Sequence, residues 1–324
     1  MVYLTAILIA LIGILPSSLY FELYLTSQPL WTFLVIVAAF LGFFLLFQKV
    51  NTFVKLVAVG GLLNCFFSEA FTFSACAYIC LVASCYFYWA CTRIKDWDLI
   101  FKIIMSMVLL NCFMMAMQAM GRDSLLNFGR GRDLLSFGTT GARMQMESLM
   151  IISSAFLLQS RYRVAIWGMV LTAGLYLIIF KINAVSQGGF LHNPFNSRIP
   201  VWAESIAFAN QHPWGGWGIG TFKVLYHVMS KLHTQPWASS HNDFIEILFE
   251  TGRIGLLVVV LYLGRLIWAL GRAKQFRILA GLVLILLDMM VHFPLREFQT
   301  FLIVVCFLAY CEVKLKSAYI IEQP

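Results

Sequence analysis

Almost the whole chain is a succession of apolar runs. A helix that crosses a bilayer needs about 20 mainly apolar residues. Such runs lie near Tyr3 to Tyr20, Leu30 to Phe47, Phe53 to Phe67, Phe71 to Cys91, Leu99 to Met120, Ser148 to Leu158, Val164 to Phe180, Ile254 to Leu270, Ile278 to Phe293 and Phe301 to Cys311. They predict an all-α, polytopic integral membrane protein with about ten transmembrane helices, several short enough to draw on their flanks. The first run has no Lys or Arg before it, Lys49 being the first basic residue. It lacks the charged start of a signal peptide and is expected to be a retained helix.

Two polar stretches, 121–145 and 181–252, interrupt this pattern. The second holds most of a segment, Asn196 to Gly255, in which four histidines, four tryptophans and clustered glycines fall between two apolar runs. With no internal repeat, low-complexity tract or hydrophilic linker, residues 1–324 read as one membrane domain with two outer loops.

Composition agrees. At 324 residues, 61% hydrophobic and 12% charged, with a mean hydropathy of +0.83, the chain is too apolar for an ordinary soluble domain. A net charge of +8 would suggest nucleic acid in a soluble protein. In a membrane protein the loops that carry the charge matter more, and no nucleic-acid partner is expected. Placing the N-terminus in the cytoplasm puts Lys49, Lys55, Arg93, Lys95, Arg161, Arg163, Arg272, Lys274, Arg277, Lys314 and Lys316 on the inner side, as positive-inside bias requires. Both termini then face the cytoplasm, and 121–145 and 181–252 face outward. All eight cysteines lie within apolar runs, so no disulfide framework is expected.

Arg122, Arg130, Arg132, Arg143 and Arg198 fall on the outer side against the charge bias. They can meet an anionic ligand at the outer leaflet, or pair with neighbouring carboxylates and headgroups. All six histidines also lie on the outer side or at an outer helix end, which points to outward-facing chemistry. Within 181–252, SRIPVWAESIAFAN predicts a short interfacial helix starting near Pro200, with Val201, Trp202, Ile206 and Phe208 on its apolar side. Arg198 would sit just before that start, where a phosphate is favoured, or would be clamped to Glu204. The glycines from Gly215 to Gly220 allow close backbone approach to a ligand or to a helix. Trp214, Trp217 and Trp237 fit sugar stacking or an interfacial belt. In SSHNDFIEILFETGRIG, Ser240 or Asn242 can cap a helix that Gly252 ends or kinks, with His241 at its mouth. Glu250 and Arg253 are expected to pair at i, i+3, and Glu246 has no obvious partner.

Ser197-Arg198, Trp202, His212-Pro213, Gly216, Gly218 and Gly220, His241-Asn242, then Glu250 and Gly252, in that order, resemble the O-antigen ligase and polymerase superfamily of membrane glycosyltransferases. His292-Phe293-Pro294-Leu295 is a weaker echo. The resemblance implies an enzyme at the outer, periplasmic face of a bacterial inner membrane, moving a glycan from an undecaprenyl diphosphate carrier to a hydroxyl. The acceptor would be a lipid, a protein or another glycan, and no metal, nucleotide sugar or other cofactor is implied. It assigns Arg198 to the carrier diphosphate and His241 to the acceptor. A second arginine from the first outer loop falls on Arg143, with Arg132 as its rival, because GTTGARMQ lacks the family's Asn-Pro-Asn-like continuation. Trp202, His212, Gly216, Gly218 and Asn242 are then candidates for substrate contact.

The residue chemistry fits. Arginine neutralises a diphosphate leaving group, and histidine removes a hydroxyl proton near neutral pH. The choice between ligase and repeat-unit polymerase stays open. A reading of another class, a polysaccharide or lipid-carrier transporter, predicts ionisable residues inside spans, for which Asp288 is the clear mid-span candidate.

Overall fold

A computed structural model describes residues 2–14, 29–46, 52–119, 143–160, 194–231, 239–296 and 298–321. Among them every regular element is helical. In chain order they are α1 (Val2–Ile14), α2 (Pro29–Leu46), α3 (Thr52–Phe66), α4 (Phe71–Cys91), α5 (Asp98–Ala119), α6 (Arg143–Leu157), α7 (Pro194–Ala209), α8 (Phe222–Met229), α9 (Asp243–Arg272), α10 (Phe276–Val291) and α11 (Phe298–Ile321), with a 3-10 turn at Pro294–Arg296. Nine of the ten apolar runs coincide with helices, and the run near Val164 to Phe180 lies outside the described residues. By length and composition α4 and α9 can cross a membrane, while Thr52–Phe66 and Ser148–Leu157 are shorter apolar helices. The all-helical class expected from the sequence holds among the described residues; a count of ten spans goes beyond what these helices support.

A helix that is apolar on every side is driven to the centre of a bundle. In α4 the run from Val82 to Cys91 is buried without a break, and α1, α2, α3 and α11 pack around it. Phe156 of α6 sits among Phe101 of α5, Phe307 and Tyr310 of α11, with ring centroids 5.2, 5.7 and 5.8 Å away. Edge and tilted contacts of this kind contribute about 0.5–1.5 kcal/mol each beyond the buried area. They fix α6 against the bundle, and α10 packs on α6 in turn.

Residues 194–231 and the start of α9 share an apolar core of their own. Val201 and Ala209 of α7, Phe222 and Tyr226 of α8, and Phe249 of α9 are buried together. Phe222 stacks on Tyr226 at 4.9 Å and meets Phe249 edge-on at 5.1 Å. α7 presents Val201, Ser205 and Ala209 inward at i, i+4 spacing, whereas Ile206 faces out. Glu204 locks α7 to α8 by accepting hydrogen bonds from Tyr226 Oη (2.8 Å), Ser230 Oγ (2.6 Å) and the Lys231 N–H (2.9 Å). Burial pushes the Glu204 carboxyl up, but these bonds outweigh it and hold the group below its usual range. That engagement excludes the Arg198–Glu204 clamp as the fate of Glu204.

Candidate functional site

The segment before α9 meets that helix at two places. The first is a break at Gly252, whose φ of 66° separates Asp243–Thr251 from the apolar stretch that follows. A break leaves backbone groups to satisfy. Trp217 and Gly218 N–H donate to the carbonyls of Phe249 (3.0 Å) and Glu250 (2.9 Å), while Arg253 N–H donates to Pro213 O (2.8 Å). Asn64 of α3 adds Nδ2–H bonds to Gly215 O (2.6 Å) and Glu250 O (3.2 Å) and accepts from Ile219 N–H (2.6 Å).

Such approach requires glycine. A Cβ on Gly216 (φ 69°) would lie 2.4 Å from the carbonyl carbon of Glu250, and one on Gly252 equally close to Trp214. One on Gly218 (φ 116°) would meet Ser68. Gly216 and Gly218, singled out for substrate contact, are thus set against protein, about 15 Å along the helix from His241 at 1.5 Å per residue. His212 belongs to the same corner, its ring 4.0 Å from that of Trp217, whose Nε1–H donates to Phe208 O at 3.0 Å.

The break also overturns the expected Glu250–Arg253 pair. With helical register interrupted at Gly252, Arg253 turns to Asn210 Oδ1 (3.1 Å) and lies over the Trp214 ring. Glu250 instead accepts from Arg296 Nη2 (2.6 Å) and from the Phe222 N–H at the start of α8 (3.0 Å). Glu246, for which the sequence offered no partner, is buried and paired with Arg296 Nε. Asp243 accepts from the Leu295 N–H at 3.2 Å. One partly buried guanidinium therefore gathers carboxylates that would otherwise be prohibitive inside the protein. Burial alone would lower the Arg296 pKa, but Glu246 and Glu250 outweigh it and hold the guanidinium cationic. A cavity of about 120 Å³ touches Asp243, Glu246, Glu250 and Arg296. It is below the several hundred Å³ of ordinary ligand pockets.

The second meeting place is the N-terminus of α9. Asn242 caps it, accepting from Phe244 N–H (3.0 Å) and Ile245 N–H (3.2 Å), and its Nδ2–H donates to Met290 O at 3.1 Å. His241 adopts φ 56°, a left-handed conformation that costs about 1–3 kcal/mol and persists where surroundings over-determine it. Here its N–H donates to Ser239 Oγ (3.1 Å), Ser239 Oγ–H and Ser240 N–H donate to Glu246 Oε1 (2.5 and 2.6 Å), and Trp202 Nε1–H donates to Ser240 O (2.7 Å). The His241 ring meets Phe293 edge-on at 4.8 Å.

Arg198 reaches the same place from α7, donating from Nη1 to Val291 O at 2.7 Å. Its position corrects the sequence reading: α7 begins at Pro194, with Pro200 inside it, so Arg198 lies in the second turn. Any anion there meets the guanidinium rather than the free amides of a helix start. Burial, then the positive charge of Arg198, then His292 push the His241 imidazole from 6.5 down to about 3. His241 is therefore held as a neutral imidazole.

Met290, Val291 and Phe293 at the end of α10 thus carry Asn242, Arg198 and His241. His292 stands among them, its Nδ1 2.6 Å from Asp288 Oδ1, and Ser148 of α6 donates to Asp288 Oδ2. Asp288 lies one turn from the end of α10 and is buried. The Asp288–His292 pair was legible only as an i, i+4 spacing beside the His-Phe-Pro-Leu echo. Arg143 begins α6, but its side chain, like all of Arg132, His233 and Trp237, lies outside the described residues.

The O-antigen ligase family model matches residues 134–260, a range that takes in Arg143, Arg198 and His241. No curated protein matches the chain.

Proposed function

We propose that this chain, whose residues 134–260 match the O-antigen ligase family model, is a transferase of that superfamily that moves a glycan from an undecaprenyl diphosphate carrier to a hydroxyl acceptor at the outer face of the bacterial inner membrane. The observation that carries this reading is the convergence of Arg198, His241 and Asn242 on the end of α10. The positive charge suited to a diphosphate and the neutral base suited to a hydroxyl share one platform. Arg198 meets the charge that develops on the leaving diphosphate. The acceptor oxygen bonds to the anomeric carbon, the bond from that carbon to the diphosphate oxygen breaks with its electron pair leaving on the diphosphate, and His241 takes the hydroxyl proton. Arg143 is the proposed second contact to the diphosphate, with Arg132 as its rival. The positive charge comes from arginine, so the proposed transfer uses no metal and no other cofactor. Both termini are proposed to be cytoplasmic, with membrane lipids around the bundle.

Incubating the purified protein with a polyprenyl diphosphate-linked glycan and a hydroxyl acceptor tests the reading. Release of carrier diphosphate together with a glycosylated acceptor is expected, and a single addition marks ligation where a ladder marks polymerisation. Binding or translocation of the donor without cleavage would assign the protein to another class.

A further inference from the structure

Resting on that reading, we propose that Glu246 is a positioning residue of the transfer: through Ser239 and Ser240 it fixes the left-handed backbone of His241, and so aims the ring that takes the acceptor proton. Glu246 is 1% exposed, too enclosed to meet a glycan itself. Its role follows from the conformation it supports. A residue other than glycine at φ 56° persists where its surroundings hold it there. The His241 N–H is held by Ser239 Oγ at 3.1 Å. A hydroxyl has one proton and two lone pairs, so Ser239 can accept from His241 and still donate. Its proton goes to Glu246 Oε1 at 2.5 Å, and a carboxylate paired with arginine only accepts, so the direction of that bond is set. The same oxygen accepts the Ser240 N–H at 2.6 Å. One carboxylate oxygen therefore grips both residues that precede His241.

The grip is itself anchored. Glu246 stands in the first turn of α9, where side chains lean back toward the helix start and so toward Ser239 and Ser240. Its other oxygen is paired with Arg296 Nε, and Arg296 Nη2 reaches Glu250 Oε1 at 2.6 Å. Arg296 belongs to the stretch after α10 that also carries Phe293, whose ring meets that of His241. Trp202 of α7 completes the hold, its Nε1–H donating to Ser240 O at 2.7 Å, so that Ser240 is fixed at both its N–H and its carbonyl. Released from Ser239, the His241 backbone is free to leave its costly conformation, and the ring moves with it. A misplacement of about 1 Å at a reacting group can cost about 10²-fold in rate.

The test measures donor binding and single-turnover transfer in full-length S239A, E246Q and the double variant, with a polyprenyl diphosphate-linked glycan and a hydroxyl acceptor. S239A removes the oxygen that the His241 N–H meets. E246Q keeps the size of Glu246 but turns one accepting oxygen into an amide donor. Each single variant should transfer about 10²-fold more slowly with donor affinity unchanged. The double variant should be no slower than the slower single one, because both changes act through the same bond to His241. If E246Q does not fold, S239A carries the decision, since Glu246 reaches His241 through Ser239: in an H241A background S239A should slow the residual transfer no further. Wild-type transfer in either single variant overturns the positioning role, as do losses that add in the double variant or that come with weaker donor binding. Slow H241A beside wild-type rates in S239A and E246Q sinks the positioning role and leaves the transferase reading standing; no transfer by the wild type sinks both.

Discussion

The two ends of the first half of α9 are built from different materials. At the Gly252 end, backbone meets backbone: glycines admit the loop from Pro213 to Gly218, and its amides and carbonyls replace the missing helical bonds. At the Asn242 end, side chains meet a helix terminus: Arg198, Asn242 and His241 settle on the last turn of α10, with Asp288 and His292 among them. The first is closed and saturated. The second gathers an arginine, a neutral histidine and an Asp–His pair, and there the backbone of His241 is held in a costly conformation. The conspicuous glycines and the Trp217 indole build the scaffold, whereas the proposed chemistry rests on less conspicuous residues.

The largest effect expected from this contrast is on stability at the closed end. Gly252→Ala would place a Cβ against the Trp214 backbone and force a left-handed alanine. The cost should be about 2–6 kcal/mol, the sum of strain in a backbone region that glycine alone readily adopts and of overpacking. Thermal unfolding in detergent would show a large drop in midpoint, while turnover per folded molecule is retained. A near-normal midpoint would mean that the break is not held by this approach.

A smaller effect is expected at the chemical end as pH is lowered. The folded His241 is held at about 3 against an ordinary 6.5, so the unfolded chain takes up the proton first. The contribution is fully favourable to folding above about 6.5 and declines as pH falls toward about 3. His241→Gln should flatten part of that decline in a series of unfolding midpoints. An unchanged slope would place His241 in a wetter, more weakly charged setting than the one described.

Local pattern carried part of this picture. Apolar run length located nine helices, the Asn242 side chain and its spacing to Phe244 gave the cap, and Gly252 gave the break. Long-range pairing was not legible in this way. Nothing near Glu246 announces Arg296, fifty residues on and brought back by the α9–α10 hairpin, and Glu250 and Arg253 look like partners until the break turns them apart. Pro200 was read as a helix start because proline suits the first helical position, yet Pro194 fills that place.

Division of labour between Arg198 and His241 is tested most directly by measuring donor binding and single-turnover transfer separately in Arg198→Ala and His241→Ala. Arg198→Ala should bind the diphosphate-linked donor weakly. His241→Ala should bind it as the wild type does and transfer about 10²- to 10⁴-fold more slowly, the range for loss of a general base. Wild-type donor affinity in the arginine variant, or wild-type turnover in the histidine variant, would contradict the site.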